Sequence, residues 1–183
     1  VHKTGSTTTT TDYCGNVVYE NGVQKLLLTD EGYVTLSDNK YHYYLKDHQG
    51  NNRVVINQSG TVEETNHYYP FGGVFASAGN VQPYKYNGKE YDGKKGLNWY
   101  DYGARMYDAA LGRFMTVDPL AEKYYPMSPY GYCLNNPIKF IDADGRLPRI
   151  YIERKGFGHA FVTVGNGDNT IVYTYGRYGE LVI

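Results

Sequence analysis

The stretch YHYYLKDHQGNNRVVINQSGTVEETNHYYPFG, residues 41–72, decides the fold. It opens with a tyrosine-rich strand, then gathers Asp, Gly and Asn at Asp47–Asn51, where the chain can turn. Arg53–Asn57 is β-branched and reads as a second strand. Ser59-Gly60 turns the chain again, and a third strand runs into Tyr68-Tyr69. Outward from this unit the pattern repeats. In DYCGNVVYENG (12–22) the strand Val17-Val18-Tyr19 is closed by Asn21-Gly22, a pair that accepts the positive φ of a hairpin turn. LLLTDEGYVTLSDN (26–39) does the same around Asp30-Glu31-Gly32. Gly15-Asn16 and Gly50-Asn51 lie 35 residues apart, each followed by β-branched residues. Hairpins repeated in this way predict a stacked or spiralling all-β architecture, in which each unit buries its face on the next.

Composition agrees. The 183 residues hold 22 Tyr and 22 Gly against 6 Phe and 1 Trp. Tyrosine suits half-buried strands because its ring packs while its hydroxyl meets water or a partner. Glycine at this density implies many tight turns. No segment of 1–100 sustains a 3.6-residue period. Helix, if any, belongs at 103–111 (GARMYDAAL) and 119–124 (PLAEKY), so one or two short helices are expected near 103–124. Residues 1–11, VHKTGSTTTTT, read as a flexible lead-in. The chain begins at Val1 and stops at Leu181-Val182-Ile183, which we read as a fragment of something larger.

The net charge of −1 excludes attraction to nucleic acid or to an anionic membrane by bulk electrostatics. No run of 18 apolar residues marks a membrane helix. Cys14 and Cys133 form neither a disulfide framework nor a CxxC zinc pair; two buried free thiols are the simpler reading. No cofactor and no metal are expected.

The unit 41–72 looks like the tyrosine–aspartate (YD) repeat of the RHS family. The stretch 96–146 is similar to that family's repeat-associated core, through Tyr100-Asp101-Tyr102-Gly103-Ala104-Arg105, Tyr107-Asp108, Leu111-Gly112-Arg113-Phe114, Asp118-Pro119, Tyr130 and Asn135-Asn136-Pro137. The resemblance spans about 12–146 and divides the chain: YD-type hairpins over 12–95, a core over 96–146, and the start of a variable effector region over 147–183. It implies a secreted or cell-surface bacterial polymorphic toxin used in interbacterial competition. Its long β-sheet would spiral into a hollow shell, capped by the core, around a C-terminal cargo. The implied partners are the upstream YD-repeat shell, the cargo, an immunity protein and secretion machinery.

In many members of that family the core cuts the chain at the seam with an aspartyl-protease-like pair, through two Asp-Pro-x-Gly boxes. The boxes here are altered: Asp118-Pro119-Leu120-Ala121, and Asp142-Ala143-Asp144-Gly145-Arg146. Peptide hydrolysis by carboxylates needs one ionised base for water and one protonated acid, roles that two neighbouring carboxylates can divide. Asp118 with Asp142 or Asp144 would supply such a pair if 125–140 folds back, and the bond cut would be Arg146–Leu147. The plainer reading makes these aspartates caps of turns, with Asp118 capping before Pro119. A calcium loop fails on register, since it would put Phe140 first and Tyr151 twelfth. Arg113 is expected as a structural anchor, stacked on a tyrosine or pinning Asp118.

The tail predicts strands at Arg149–Glu153, His159–Val164 and Thr170–Tyr175, with a hairpin turn at 165–169. His159 is the tail's candidate catalytic residue for a hydrolase or nuclease, although 147–183 holds no cysteine or serine to act as nucleophile. Beside the shell reading stand two others: an effector enzyme with its site in the tail, and a cell-surface adhesin binding glycans on tyrosine-lined strands.

Overall fold

The computed structural model describes residues 2–4, 7–93, 96–123, 127–146, 148–150, 160–164 and 171–175. The chain is all-β and antiparallel, as the hairpin pattern predicted, and divides into two compact units.

The first unit comprises Val1–Asp47, Asn52–Asn66 and Ser77–Val81. After a small hairpin, β1 (His2–Thr4) with β2 (Thr7–Thr9), the strands follow in order: β3 (Thr11–Cys14), β4 (Val17–Glu20), β5 (Val23–Thr29), β6 (Gly32–Thr35), β7 (Lys40–Lys46), β8 (Asn52–Asn57), β9 (Val62–Tyr68) and β10 (Val74–Ala78). Each pairs with the next, giving an eight-stranded meander; the hairpin tip 67–76 is counted with the second unit. The expected turns form. Asn21 (φ 53°) and Gly22 (φ 78°) close β4 onto β5. At the β8–β9 turn Asn57 Oδ1 accepts the N–H groups of Ser59 and Thr61, while Gly60 N–H reaches the Asn57 carbonyl.

Cross-strand partners share a face. One face carries Val18, Leu26, Tyr33 and Val55, which form the unit's buried cluster. His42 lies on the same face, its ring stacked on Tyr33 at 4.4 Å and its Nδ1 2.6 Å from Glu63 Oε2. The opposite face presents Tyr41, Tyr43 and Leu45 to solvent.

The second unit comprises His48–Asn51, His67–Ala76 and Gln82–Ile183. Its four-stranded sheet is β11 (Glu90–Asp92), β12 (Trp99–Asp101), β13 (Met106–Asp108) and β14 (Arg113–Phe114). Two hairpins follow: β15 (Phe140–Asp142) with β16 (Pro148–Ile150), and β17 (Ala160–Val164) with β18 (Ile171–Tyr175). The last three strands meet the tail expectations where the tail is described; the turn 165–169 lies outside the described residues.

Two expectations are corrected. Residues 103–111 are not helical. Gly103 (φ 88°) and Gly112 (φ 66°) break the run, Tyr107 pairs with Tyr100 and Phe114 across the sheet, and Asp108 Oδ1 takes the N–H groups of Ala110 and Leu111. Burying an aromatic ring from a short strand outweighs the helix propensity of three alanines. Among the described residues 119–123, only a 3₁₀ turn forms, Ala121–Lys123. Both thiols are free, but only Cys133 is buried; Cys14 is exposed on edge strand β3.

The second unit's core is built of tyrosine. Tyr86, Tyr100, Tyr102, Tyr107 and Tyr132 are each at most 1% exposed, packed with Phe114 and Cys133. A buried hydroxyl needs a partner, and each finds one. Tyr86, Tyr107 and Tyr100 donate to the carbonyls of Pro70, Phe71 and Gly72 at 2.8–2.9 Å. Tyr102 and Tyr132 meet on Asn87 Oδ1 at 2.8 and 2.7 Å.

Candidate functional site

The described seam residues 143–146 follow β15, and Asp142 pairs with Pro148 across the β15–β16 hairpin. Asp142 is 1% exposed. Its Oδ1 accepts the N–H groups of Asp144, Gly145 and Arg146 at 3.2, 2.7 and 3.2 Å, a backbone nest around one carboxylate oxygen. The loop's carbonyls are held as firmly. Lys89 Nζ donates to Ala143 O at 2.6 Å, the Ala104 N–H to Asp144 O at 3.2 Å, and Arg105 Nε to Gly145 O at 2.5 Å. Both sides of the backbone leading to Arg146 are therefore fixed.

Arg105 joins the seam to the other acidic box. It follows the Gly103 turn into β13, and its side chain is 1% exposed. Its Nη2 lies 2.9 Å from Asp118 Oδ2 and 3.5 Å from Asp142 Oδ2. Nη1 donates to Pro129 O at 3.1 Å, and the guanidinium lies 3.7 Å from the centroid of the Phe114 ring, a cation–π contact in a dry place. Segment 127–140 does fold back: Pro129 O also accepts the Asp118 N–H, and Tyr130 O that of Phe114. Asp118 and Asp142 thus share one guanidinium nitrogen. Asp118 also caps its turn, Oδ1 taking the Leu120 N–H at 2.7 Å. Asp144 is exposed and stands outside the pair, its Oδ1 3.2 Å from the Arg146 N.

The electrostatics separate the groups. Burial raises Asp142 above the usual carboxylate range, against the pull of the N–H groups and of Arg105. Burial also lowers Arg105, an effect that Asp118 and Asp142 oppose. Cys133, packed beside Asp142, is pushed up to about 12 by burial, so its thiol is inert.

The sequence reading missed Arg105 and put its role on Arg113. The structure corrects this: Arg113 is exposed on β14, and the guanidinium that pins Asp118 and stacks on an aromatic ring is that of Arg105. The arginine that reaches the aspartates is set by the Gly103 turn, which points Arg105 inward while Arg113 follows the Gly112 turn outward. Leu147 and His159 lie outside the described residues.

Beside the pair is a cavity of about 450 Å³, lined in part by Arg113, Asp118, Met127, Leu134, Asn135 and Arg146. One wall is a left-handed turn, with Cys133, Leu134 and Asn135 at φ 46°, 53° and 57°. Such residues cost roughly 1–2 kcal/mol each, with asparagine the more tolerant. No group of His, Cys, Asp and Glu among the described residues is arranged to hold a metal ion.

The chain's β-rich fold is similar to part of a Tc toxin: the solved Photorhabdus luminescens Tc holotoxin pore matches with a TM-score of 0.64 over 80% of this chain and 8% of that one, at 23% identity. Curated relatives include toxin subunit YenC2 of Yersinia entomophaga, 35% identical over 104 residues, or 54% of this chain and 10% of that protein. Salivary gland surface protein 1 of Aedes aegypti is 40% identical over 114 residues, 60% of this chain and 3% of that protein. No family model matches. The chain is thus similar to Tc toxin subunits, which are related to the RHS/YD-repeat toxin family, and it spans a tenth or less of these relatives' length. No helix among the described residues is long and apolar enough to cross a membrane.

Proposed function

We propose that this chain is the shell-capping core of a secreted RHS-type toxin subunit. It closes an upstream YD-repeat shell and helps enclose and deliver a C-terminal effector, with an immunity protein and secretion machinery as further partners. The ordered meander of tyrosine-rich hairpins and the likeness to toxin subunits support the shell role. One observation carries the chemical part: a single buried guanidinium, Arg105, holds Asp118, Asp142 and the Gly145 carbonyl together beside Arg146.

In this reading the site cuts Arg146–Leu147 once. Asp118, partly exposed and bordering the cavity, takes a proton from water as its oxygen bonds to the Arg146 carbonyl carbon. Asp142, which burial keeps protonated to higher pH than an ordinary carboxylate, gives its proton to the departing Leu147 nitrogen as the C–N bond breaks. One water is consumed; a carboxylate and an amine are formed. The backbone clamp on 143–145 pre-positions the bond.

The test is the intact mass of the chain expressed with its natural upstream repeats. Two species, one ending at Arg146, are expected, and Asp118→Asn or Asp142→Asn should leave one uncut species with its fold intact. A single uncut wild-type mass reduces the protein to a scaffold.

A surface adhesin remains as a second reading, favoured by the Aedes aegypti relative's name and by exposed Tyr41 and Tyr43. Glycan-array binding lost on Tyr41→Ala/Tyr43→Ala would establish it. Binding that ignores those changes would remove it.

A further inference from the structure

The side chains of Arg113 and Arg146 take no part in the proposed chemistry. Both are exposed, both line the 450 Å³ cavity, and neither has an ion-pair partner among the described residues. Among the described residues, the cavity's one carboxylate, Asp118, is already satisfied, with one oxygen on Arg105 and the other on the Leu120 N–H. Asp142 is not among the lining residues. Among the described residues, the cavity therefore presents two guanidinium groups without a carboxylate partner.

The remaining lining suits a small polar guest. Ser128 and Asn135 bring a hydroxyl and an amide, while Leu134 closes an apolar side. The volume falls within the range of ligand pockets. The wall at Leu134 and Asn135 is held in left-handed backbone, the kind of strain that gathers at ligand sites. A guanidinium presents a planar fork of donors that matches a carboxylate or phosphate group.

We propose that this cavity is an anion site, taking a carboxylate or phosphate group between Arg113 and Arg146. That group has two sources. One is a free small anion. The other is the α-carboxylate that a cut at Arg146–Leu147 would create on Arg146 itself, a source that rests on the self-cleavage reading. Binding by the uncut chain does not depend on that reading.

The test is calorimetric titration of citrate and of inorganic phosphate into the full chain at low salt, with intact mass reporting whether the sample is cut. The uncut chain should bind, and Arg113→Gln and Arg146→Gln should each weaken binding by about tenfold or more. Arg113→Lys should recover only part of the loss, because it restores charge without the fork. Arg53→Gln, whose wild-type arginine pairs with Asp47 in the other unit, should change nothing. Near-UV circular dichroism of the buried tyrosines confirms that each variant is folded. If cut chain no longer takes citrate, its own carboxylate fills the site; if it binds as uncut chain does, the occupant is a free anion. Absence of binding to uncut chain, or affinity indifferent to Arg113→Gln in a folded variant, overturns the proposal.

Discussion

In the first unit the backbone closes its own hydrogen bonds, strand against strand through an unbroken meander. In the second, much of the chain is loop and turn, and side chains close the bonds instead. Three tyrosine hydroxyls serve the carbonyls of 70–72, while Arg105 and Lys89 serve those of the seam. The contrast explains where chemistry can arise. A ladder satisfies its polar groups locally and leaves its side chains free to pack. An irregular backbone must bring buried polar side chains to its carbonyls, and those groups arrive with charges that perturb one another. The site lies within the irregular backbone of the second unit.

The comparison can be broken most sharply at Arg105. Arg105→Met leaves Asp118 and buried Asp142 without their cation, so urea unfolding of the second unit should lose about 3–5 kcal/mol, while the His42 and Tyr33 signals of the first unit persist. Equal loss in both units would show that they do not fold separately. The corresponding weak point of the ladder is Gly32, where a Cβ would stand 2.0 Å from the His42 carbonyl oxygen. Gly32→Ala should cost roughly 1–3 kcal/mol, read by hydrogen exchange in β6 and β7 and leaving the Arg105 site unchanged. Tyr107→Phe keeps the ring and removes only the bond to Phe71 O, so about 1 kcal/mol is expected, sharpening the claim that hydroxyls rather than rings replace the ladder.

The smallest effect is a slope in pH. Because burial raises Asp142 in the folded state, the unfolded chain gives up this proton first as pH rises. Asp142 therefore favours folding most below the ordinary carboxylate range, and that contribution is lost as pH rises through its raised folded value. Asp142→Asn should remove this limb from the stability profile, as measured by urea midpoints across acid pH.

Much of this was legible in the residues. Asn21-Gly22, Ser59-Gly60 and the β-branched runs between them specify hairpins locally, because positive φ and period-2 packing are properties of a few adjacent residues. Asp118 and Asp142 could be singled out from the altered boxes. The choice between Arg105 and Arg113 was not legible. Arg113 directly follows Gly112, Arg105 follows Gly103 one residue later, and each precedes an apolar residue, so local sequence does not say which side chain turns inward. Nor was the strand at Met106–Asp108, where the alanines favoured helix.

The sequence by itself determined the all-β class and the hairpin order, since these rest on local backbone preference. Only the tertiary structure decided which arginine unites the aspartates, which tyrosines are buried and which guanidinium groups stay open. Those outcomes depend on contacts between residues distant in the chain, where burial changes the cost of every polar group.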